Sequence, residues 1–220
     1  MRRVVLIDID GTLFNSNSTF DFLDSLPHGK WYGFYRNVGS SIFGRIVNKL
    51  AIMLFSKDII RMIGISCLKG YSQMQLLDLG EKFYDNFLLQ RKNCEVFDML
   101  DEEKKYDSKI ILASATLDFL SEIIKKRVMA DYAIATELKY KNGYCVGKIL
   151  KDRLGRKMEA LAETGITFPV DMTITDNVTD ARLLLYSLSR VIVIYPREAN
   201  KWDRIIKKYN LKDAKLLHYE

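Results

Sequence analysis

Two aspartates, Asp8 and Asp10, stand two residues apart at the end of the apolar, β-branched run 3–9. Such a run predicts a buried strand, from which residues two apart emerge on the same side, and Gly11 lets the chain turn directly after them. Two carboxylates among apolar neighbours are costly unless a cation or a proton shares the site. One can then attack as a nucleophile while the other handles a proton. The alternative is that Asp10-Gly11 is only a turn and that Asp8 is a capping acid.

Two further polar residues stand beside the start of a predicted helix: Ser114 shortly before one and Lys157 at the beginning of another. Ser114 follows the predicted strand 109–113, so its hydroxyl and the backbone N–H groups around Ala115 would suit an anionic oxygen, although a serine there is more often an N-cap. Lys157 begins a predicted helix after a hairpin and would supply a cation beside the carboxylates. A lone lysine at a helix start is usually solvated. Nearby competitors for its role are Lys148, Lys151, Arg153 and Arg156.

A second acidic pair, Asp176 and Asp180, follows the predicted strand 172–175 at its junction with a helix. The carboxylate oxygens would suit a hard divalent cation such as Mg²⁺, which prefers oxygen ligands. An aspartate N-cap followed by an aspartate in the first helical turn has the same pattern and is common. The residues by themselves leave a metal site and a helix cap as alternatives.

The elements that must position these residues change character along the chain. Apolar residues recur at helical spacing between about Thr19 and Tyr106, where no strand pattern is visible. Beyond Tyr106 strands and helices alternate, which predicts a mostly parallel sheet covered on both faces. The predicted strands are 109–113, 132–135, 172–175, 190–194 and 215–218, with a hairpin over 138–149 that turns at Asn142-Gly143. The predicted helices are 117–128, 156–163, 179–187 and 200–209.

The helical block interrupts the predicted sheet after its first strand. We therefore expect an α/β fold in which residues 1–14 and 107–220 form a core and residues 15–106 form a helical cap. An insert at this place covers the carboxyl edge of the sheet, where open α/β folds bind their ligands. The candidate residues all stand at that edge.

The order and spacing of the candidate segments resemble the haloacid dehalogenase superfamily. The matching segments are 8–13 (DIDGTL), 112–116 (LASAT), Lys157 and 176–180 (DNVTD). The stretch 135–138 (ATEL), followed by a glycine-containing hairpin and Lys157, resembles the branch that includes phosphoserine phosphatase. The resemblance covers almost the whole chain, and it implies a Rossmann-like core with a small helical cap.

The resemblance also implies a role for each matching residue. Asp8 would be the nucleophile that forms an aspartyl-phosphate, and Asp10 would protonate the leaving oxygen, later activate water and contact the metal through its backbone carbonyl. Ser114 and Lys157 would bind the phosphoryl oxygens, together with the turn and amides at Gly11, Thr12 and Ala115. Thr12 would also help to hold the turn and the acid. Asp176 would ligate Mg²⁺, which Asp8 also contacts, with Asp180 close behind, either through water or as an orienting group. A phosphoryl group needs charge neutralisation, in-line placement and a dry cover, which these residues would supply.

Asp10 limits the type of reaction that the resemblance implies, and departures from the family pattern limit the substrate. Members that cleave halides or phosphonates lack an acid at this position, so Asp10 favours phosphate ester hydrolysis or phosphoryl transfer. The phosphoserine enzymes carry a glutamate that faces the substrate amine where Asn17 stands here. Their last motif begins Gly-Asp and has an asparagine before its final aspartate, at the places of Thr175 and Thr179. The resemblance therefore implies the catalytic residues but not phosphoserine as the substrate.

The net charge of the chain is concentrated in the predicted cap. Residues 27–72 contain seven Lys or Arg and one acid, which equals the whole net charge of +6. Four of these cations lie one helical turn apart in pairs, Arg45 with Lys49 and Lys57 with Arg61. One interpretation is a pair of cap helices that pack together with their cations in solvent. The other is that the cap recognises a further anionic group of the substrate or rests on an anionic membrane.

Length and composition exclude several classes of protein. The chain has 220 residues, 48% hydrophobic and 28% charged, so it buries a core and is neither disordered nor collagen-like. Three scattered cysteines without a C-x-x-C pair argue against a zinc site or disulfide framework and favour reduced thiols in the cytoplasm. The N-terminal run lacks the apolar length and cleavage site of a signal peptide, and the apolar run 50–55 is far too short to span a membrane.

Together these observations predict a Mg²⁺-dependent phosphatase in the cytoplasm or at the membrane surface. Its substrate would be a phosphorylated small molecule or a lipid head group. The alternatives are a phosphotransferase with the same chemistry and a non-catalytic, anion-binding regulatory domain on the same fold. No recognised nucleic-acid-binding module accompanies the basic residues, so we expect no nucleic-acid partner.

Overall fold

The computed structural model describes residues 2–27, 32–33, 36–37, 39, 41–55 and 58–219, and of residues 43, 45 and 52–55 it describes the backbone alone. The strands in this part of the chain are β1 Val4–Ile7, β2 Lys109–Leu117, β3 Tyr132–Lys141, β4 Tyr144–Lys151, β5 Val170–Thr175, β6 Ser187–Ile194 and β7 Lys215–His218. They form a single sheet in the order β4-β3-β2-β1-β5-β6-β7. Neighbouring strands are parallel except for the β3–β4 hairpin, so the predicted α/β fold with a mostly parallel sheet is confirmed.

Helices connect the strands and cover the sheet. They are α1 Ser18–Ser25, α2 Ile42–Phe55, α3 Ile59–Ser66, α4 Gln73–Phe83, α5 Cys94–Lys105, α6 Asp118–Arg127, α7 Lys157–Glu163, α8 Ala181–Leu185 and α9 Ala199–Tyr209. Side chains that accept backbone N–H bonds mark several starts, as Asp58 does for α3 and Asn93 for α5. Ser72 and Gln75 form a reciprocal capping box at the start of α4.

Strand β1 lies at the centre of the sheet and is buried on both faces. Val5 and Ile7 pack into the larger hydrophobic cluster with helices α4, α5 and α6, whereas Leu6 packs on the opposite face with α7 and α8. This alternation follows from the two-residue period of a strand. A fully covered central strand fixes the position of the residues that follow it.

Strand β2 is longer than the predicted 109–113 and ends at Leu117. Its pairing with β3 shifts in register after Ala113 and resumes between Leu117 and Thr136. Helix α6 begins only at Asp118. The prediction that Ser114 stands at a helix N-terminus is therefore wrong, because the buried residues up to Leu117 keep the chain extended against the core.

The predicted helix 179–187 is also divided differently. Residues Val178–Asp180 form a 3₁₀ turn, and α8 ends at Leu185. Ser187 begins β6 and pairs with Val170 instead of closing the helix. Asp180 therefore stands in the turn that leads from β5 into α8.

Every regular element described between Thr19 and Tyr106 is helical, as predicted. Side chains from this segment, such as Ile65 and Leu76, nevertheless share one hydrophobic cluster with Ile7 and Leu112 of the sheet. Helices α3 and α4 of the insert are therefore packed onto the core. The division into residues 15–106 and residues 1–14 with 107–220 stays a proposal.

Of the four paired cations of the insert, Arg45, Lys49, Lys57 and Arg61, two have side chains that the structure describes, and these two differ in their exposure to solvent. The Arg45 side chain and the whole of Lys57 lie outside the described residues. Lys49 is exposed on α2, but Arg61 on α3 is only 4% exposed. The interpretation in which the cap cations face solvent does not hold for Arg61, whose guanidinium pairs with Asp152 of the core at 2.8 Å. None of the described helices has the length and apolar character needed to cross a membrane.

Candidate active site

A cavity of about 390 Å³ lies at the carboxyl ends of β1, β2 and β5. Its walls include Asp8, Asp10, Ser114, Lys157 and Asp176, which are far apart in sequence. They meet because β1 lies between β2 and β5 and these parallel strands end at one edge of the sheet. The structure therefore brings the candidate residues of all four segments to a single place.

Asp8 directly follows β1 and is paired with Lys157. The Lys157 Nζ lies 2.6 Å from the Asp8 Oδ2 and 2.6 Å from the Asp180 Oδ2, and all three side chains are buried. The second Asp8 oxygen, Oδ1, accepts the Ile9 N–H at 2.7 Å. Lys157 thus holds Asp8 in one orientation and neutralises part of the buried negative charge.

At this site the lysine is charged, but its single positive charge does not neutralise the carboxylates that surround it. Burial raises the pKa of the Asp8 carboxyl, and the neighbouring charges of Asp180 and Asp176 add to the effect against the opposing charge of Lys157. Burial by itself lowers the pKa of the Lys157 ammonium, but Asp180 and Asp8 outweigh it and the net pKa is raised. Burial also raises the pKa of Asp176, to about 6. A further cation beside Asp8 and Asp176 would relieve this imbalance.

Asp10 has a different environment from Asp8. Its Oδ1 accepts the backbone N–H of Ser18 at 2.7 Å, and its Oδ2 accepts the Thr116 hydroxyl at 3.0 Å. Burial raises the pKa of the Asp10 carboxyl above its usual value, against the hydrogen bonds from Ser18 and Thr116. A carboxyl that is held in place and has a raised pKa suits proton transfer.

Asp176 follows β5 and is held against the turn after β1. Thr12 Oγ1 donates to Asp176 Oδ1 at 3.2 Å and accepts the Asp176 N–H at 2.9 Å. Gly11 has a φ of +71°, and a Cβ at this position would lie 2.1 Å from Asp176 Oδ2. Only glycine therefore allows the Asp176 carboxylate to approach this turn so closely.

Two side chains that follow β6 hold the turns at Gly11 and Asp176. The Tyr195 hydroxyl donates to the Gly11 carbonyl at 3.0 Å, and the fully buried Trp202 donates its indole N–H to the Asp176 carbonyl at 3.0 Å. Sequence reasoning missed both residues, because neither belongs to a local motif. Their only sequence signal is a large polar aromatic side chain in a region that is otherwise predicted as strand and helix.

Ser114 lies in the irregular part of β2, beside the cavity. Its Oγ is 2.9 Å from the Thr116 Oγ1, which is 3.1 Å from the Ser18 Oγ. This hydroxyl network links Ser114 to the two residues that hold Asp10. Thr116, which sequence reasoning did not single out, is therefore part of the site.

The surroundings of three predicted site residues narrow or change their expected roles. Thr12 is fully buried and lies outside the cavity wall, so its hydroxyl serves Asp176 instead of an oxygen of phosphate. Ala115 lines the cavity from a strand, so no helix N-terminus supports an anion there. The Asp180 carboxylate receives bonds from Lys157 and from Thr175 at 2.9 Å, which makes it an orienting group for the lysine.

The oxygen atoms at this edge fit a small divalent cation. The carboxylates of Asp8 and Asp176 share the cavity, and the space that a Gly11 Cβ would fill is used by Asp176. Within the described ranges no three His, Cys, Asp or Glu side chains converge as a metal-binding group. A Mg²⁺ ion would be held by these two carboxylates and would complete its shell with other oxygens, which is usual for this ion. The contact through the Asp10 backbone carbonyl that the resemblance implies stays a prediction.

Residues of the insert close the outer part of the cavity. Asn17 caps α1, where its side chain accepts the Phe20 N–H at 3.3 Å, and it also lines the cavity. Asp58 and Arg61 line it from the start of α3. Arg197, which follows β6 and which sequence reasoning missed, completes the wall from the core side.

Comparison with known proteins identifies relatives of the fold. The chain is similar to a protein with unknown function from Bordetella pertussis Tohama I, with a TM-score of 0.70 and 17% identity over 99% of this chain and 98% of that one. It is similar to a phospho-aspartyl intermediate analogue of phosphoserine phosphatase, with a TM-score of 0.60, 16% identity and coverage of 100% and 94%. A substrate-bound phosphoserine phosphatase complex gives a TM-score of 0.60, 19% identity and coverage of 95% and 98%.

The sequence comparisons are more decisive than these structural ones, whose low identities show a shared fold alone. A comparison with curated proteins gives no match in sequence. The model of the haloacid dehalogenase-like hydrolase family matches residues 5–189, from β1 into β6, and so includes Asp8, Ser114, Lys157 and Asp176. The predicted membership is thereby confirmed: the chain belongs to the haloacid dehalogenase-like hydrolase family.

Proposed function

We propose that this hydrolase is a Mg²⁺-dependent phosphomonoester phosphatase in which Asp8 is the nucleophile. The observation that carries the proposal is the difference between the two aspartates of one cavity. Asp8 is paired with Lys157 at 2.6 Å, whereas Asp10 is held by the neutral donors Ser18 and Thr116. Burial raises the pKa of both carboxyls, and the neutral partners of Asp10 allow it to carry the proton. An oriented carboxylate beside a poised proton donor is what hydrolysis through a covalent intermediate requires.

The proposed reaction has two displacement steps at phosphorus. In the first, an Asp8 carboxylate oxygen forms a bond to phosphorus as the ester P–O bond breaks, and Asp10 protonates the leaving alcohol oxygen. In the second, Asp10 takes a proton from water, the water oxygen attacks phosphorus, and the bond to Asp8 breaks. Orthophosphate leaves and both aspartates return to their starting states.

The other residues of the cavity would bind and orient the phosphoryl group. The Lys157 ammonium and the Ser114 hydroxyl would contact its oxygens, and Asp180 keeps the lysine in place. Mg²⁺, held by the carboxylates of Asp8 and Asp176, would neutralise charge on the phosphoryl group. Catalysis of this kind depends mainly on positioning and charge.

The dimensions and lining of the cavity support a small phosphate ester as substrate. A volume of about 390 Å³ is near the lower end for small-molecule sites. Two of the similar structures are phosphoserine phosphatases, but Asn17 replaces the glutamate that the resemblance implies for recognition of the amine. We therefore propose a phosphorylated small molecule, or the head group of a lipid phosphate, in place of phosphoserine.

The inserted helix α2 gives the lipid version of this proposal a specific test. Ile42, Ile46 and Leu50 are exposed on α2 beside the exposed Lys49, an arrangement suited to an anionic membrane surface. Changing Arg45, Lys49 and Lys57 together to Gln should weaken binding to vesicles that contain phosphatidylserine. Wild-type protein that does not sediment with such vesicles would exclude this version and leave a soluble substrate in the cytoplasm.

The experiment that tests the proposed function replaces the nucleophile. Asp8→Asn protein should lose at least about 10³-fold of its kcat on an aryl phosphate with Mg²⁺, because an amide does not replace a carboxylate as nucleophile. Circular dichroism and thermal unfolding confirm that the variant is folded. Full activity of folded Asp8→Asn would contradict the proposal, and alcohols that compete with water for the phosphoryl group would favour a phosphotransferase.

A further inference from the structure

The guanidinium of Arg61 joins the inserted helices to two strands of the core and to the residue that follows a third. Its Nη1 donates to the Asp152 Oδ1 at 2.8 Å, just after β4. Its Nη2 donates to the Thr136 Oγ1 on β3 at 2.8 Å and to the main-chain carbonyl of Ala115 on β2 at 2.5 Å. One side chain of helix α3 thus contacts three core segments that are distant from it in sequence.

The contact with Ala115 occurs at the end of the cavity where phosphate is expected. Ala115 and Ser114 both line the cavity, and the regular pairing of β2 with β3 is interrupted between Ala113 and Leu117. A short bond from a charged donor is stronger than one between neutral groups. The Arg61 guanidinium therefore fixes a peptide group that the β2–β3 ladder leaves irregular.

The partners of Arg61 hold it in this position. Asp152 Oδ1 also accepts the Leu154 N–H at 3.1 Å and lies 3.4 Å from the Thr136 hydroxyl, so the acid is anchored to its own loop. A buried guanidinium is costly unless it is paired and hydrogen-bonded. All its described partners belong to the core, so these bonds exist only while α3 is seated on the core.

We propose that Arg61 is a positioning residue through which the seated insert sets the geometry of Ser114 and Ala115 for binding the phosphoryl group. This inference rests on the proposed function, because it takes the Ser114 end of the cavity as the phosphate site. In this view the buried guanidinium of Arg61 organises the phosphate end of the core. A cation that only stabilised the packing of the insert would leave phosphate affinity unchanged.

The test measures orthophosphate binding by calorimetry with Mg²⁺ present, alongside thermal unfolding. Arg61→Met keeps the length of the side chain but donates no hydrogen bond, and it should raise the Kd for orthophosphate about tenfold or more. Arg61→Lys keeps the charge and one donor and should fall between this variant and the wild type. Because it alters the buried site least, it also serves if Arg61→Met does not fold.

Arg153 provides the matched control. Its side chain is 11% exposed and paired with Glu137 and Glu163, but it does not line the cavity. Arg153→Met should therefore lower the thermal midpoint and leave orthophosphate affinity within about twofold of the wild type. An equal loss of phosphate affinity in Arg153→Met and Arg61→Met would overturn the inference.

The double variant Arg61→Met/Asp152→Asn separates positioning from stability. Asp152→Asn leaves the buried guanidinium unpaired, whereas the double variant removes both charges and should regain thermal stability relative to it. Phosphate affinity should nevertheless stay at the level of Arg61→Met, because the Ala115 carbonyl still lacks its donor. Recovery of wild-type affinity in the double variant would mean that Arg61 acts only through stability.

Failure of the proposed function gives a different result from failure of the inference. Wild-type protein that binds orthophosphate but hydrolyses no phosphate ester would contradict the function, while the tenfold effect of Arg61→Met would still support the inference. Wild-type affinity in folded Arg61→Met, or no binding of orthophosphate by the wild type, would overturn the inference.

Discussion

The carboxyl edge of the sheet and the inserted helices use charge in opposite ways. At the sheet edge the carboxylates of Asp8 and Asp180 are buried around Lys157, and each has a defined partner. In the insert, residues 27–72 contain seven cations and one acid, and Lys49 is exposed to solvent. Among the cations of residues 27–72 whose side chains the structure describes, Arg61 differs because it is buried against the core.

This difference teaches that the net charge of a segment says little about the role of one residue in it. A buried ion is costly unless partners surround it, so its removal affects both stability and chemistry. An exposed ion is screened by solvent and contributes little. Substitutions of buried and exposed charges therefore provide a direct test of the comparison.

The largest effect is expected for Lys157→Met. This change leaves the buried carboxylates of Asp8 and Asp180 without their common cation, and breaking such a group costs about 3–5 kcal/mol of unfolding free energy. Activity on an aryl phosphate should fall at least about 10³-fold, because the cation that we propose to bind phosphate is lost as well. Urea unfolding and steady-state kinetics measure the two effects. The control is the exposed Lys148→Met, and equal effects of the two variants would contradict the comparison.

Gly11→Ala should have the next largest effect. An added Cβ would lie 2.1 Å from the Asp176 Oδ2, at a residue whose φ is +71°, so the carboxylate must move away from the turn. We expect the Mg²⁺ concentration at half-maximal activity to rise about tenfold or more, since a displaced ligand weakens metal binding. Gly165→Ala is a matched control because Gly165 has a φ of +75° and no atom within 4 Å of an added Cβ. An unchanged Mg²⁺ requirement in Gly11→Ala would contradict the assignment of Asp176.

Tyr195→Phe should have a smaller effect on the same edge. The change removes only the hydroxyl that donates to the Gly11 carbonyl at 3.0 Å, at a cost of about 1 kcal/mol. The Mg²⁺ requirement should rise a few-fold while the fold is kept. Tyr140→Phe is the control, because Tyr140 is a half-buried tyrosine that does not line the cavity. Equal Mg²⁺ requirements in the two variants would show that the Tyr195 hydroxyl does not position the turn at Gly11.

The smallest effect is expected for Lys49→Gln in the insert. Its side chain is exposed on α2, so the free energy of unfolding should change by no more than about 0.5 kcal/mol. Activity on a soluble aryl phosphate should match the wild type. A large loss of either property would show that α2 contributes to the site and would break the contrast between buried and exposed cations.

Local spacing was sufficient to predict part of the site. Asp8 and Asp10 follow a β-branched run, and Asp176 follows another, so both segments were placed at the carboxyl edge of the sheet from their sequence alone. The parallel sheet, the β3–β4 hairpin and the helical insert were predicted in the same way. These predictions succeed because the period of apolar residues and the turn residues act over a few positions.

Other features depend on residues that are distant in sequence. The extended course of Ser114 and Ala115 is set by buried packing and by pairing with β3, which local propensity does not contain. Tyr195 and Trp202 reach the turns at Gly11 and Asp176 only because β6 and the segment after it lie beside β5. No local pattern indicates which backbone carbonyl such a side chain will meet.

The sequence by itself determined that this chain builds a parallel sheet with acids at one edge, because strand period, glycine turns and helix starts are local properties. The tertiary structure decided which charges are buried and with which partners. Of the several cations near it in sequence, Lys157 is the one that pairs with both Asp8 and Asp180, because it lies at the start of α7. Arg61 is buried, unlike the exposed Lys49, because Asp152, Thr136 and Ala115 accept hydrogen bonds from its guanidinium. Burial and pairing of charge depend on the whole fold, since desolvation is set by every element that packs around the group.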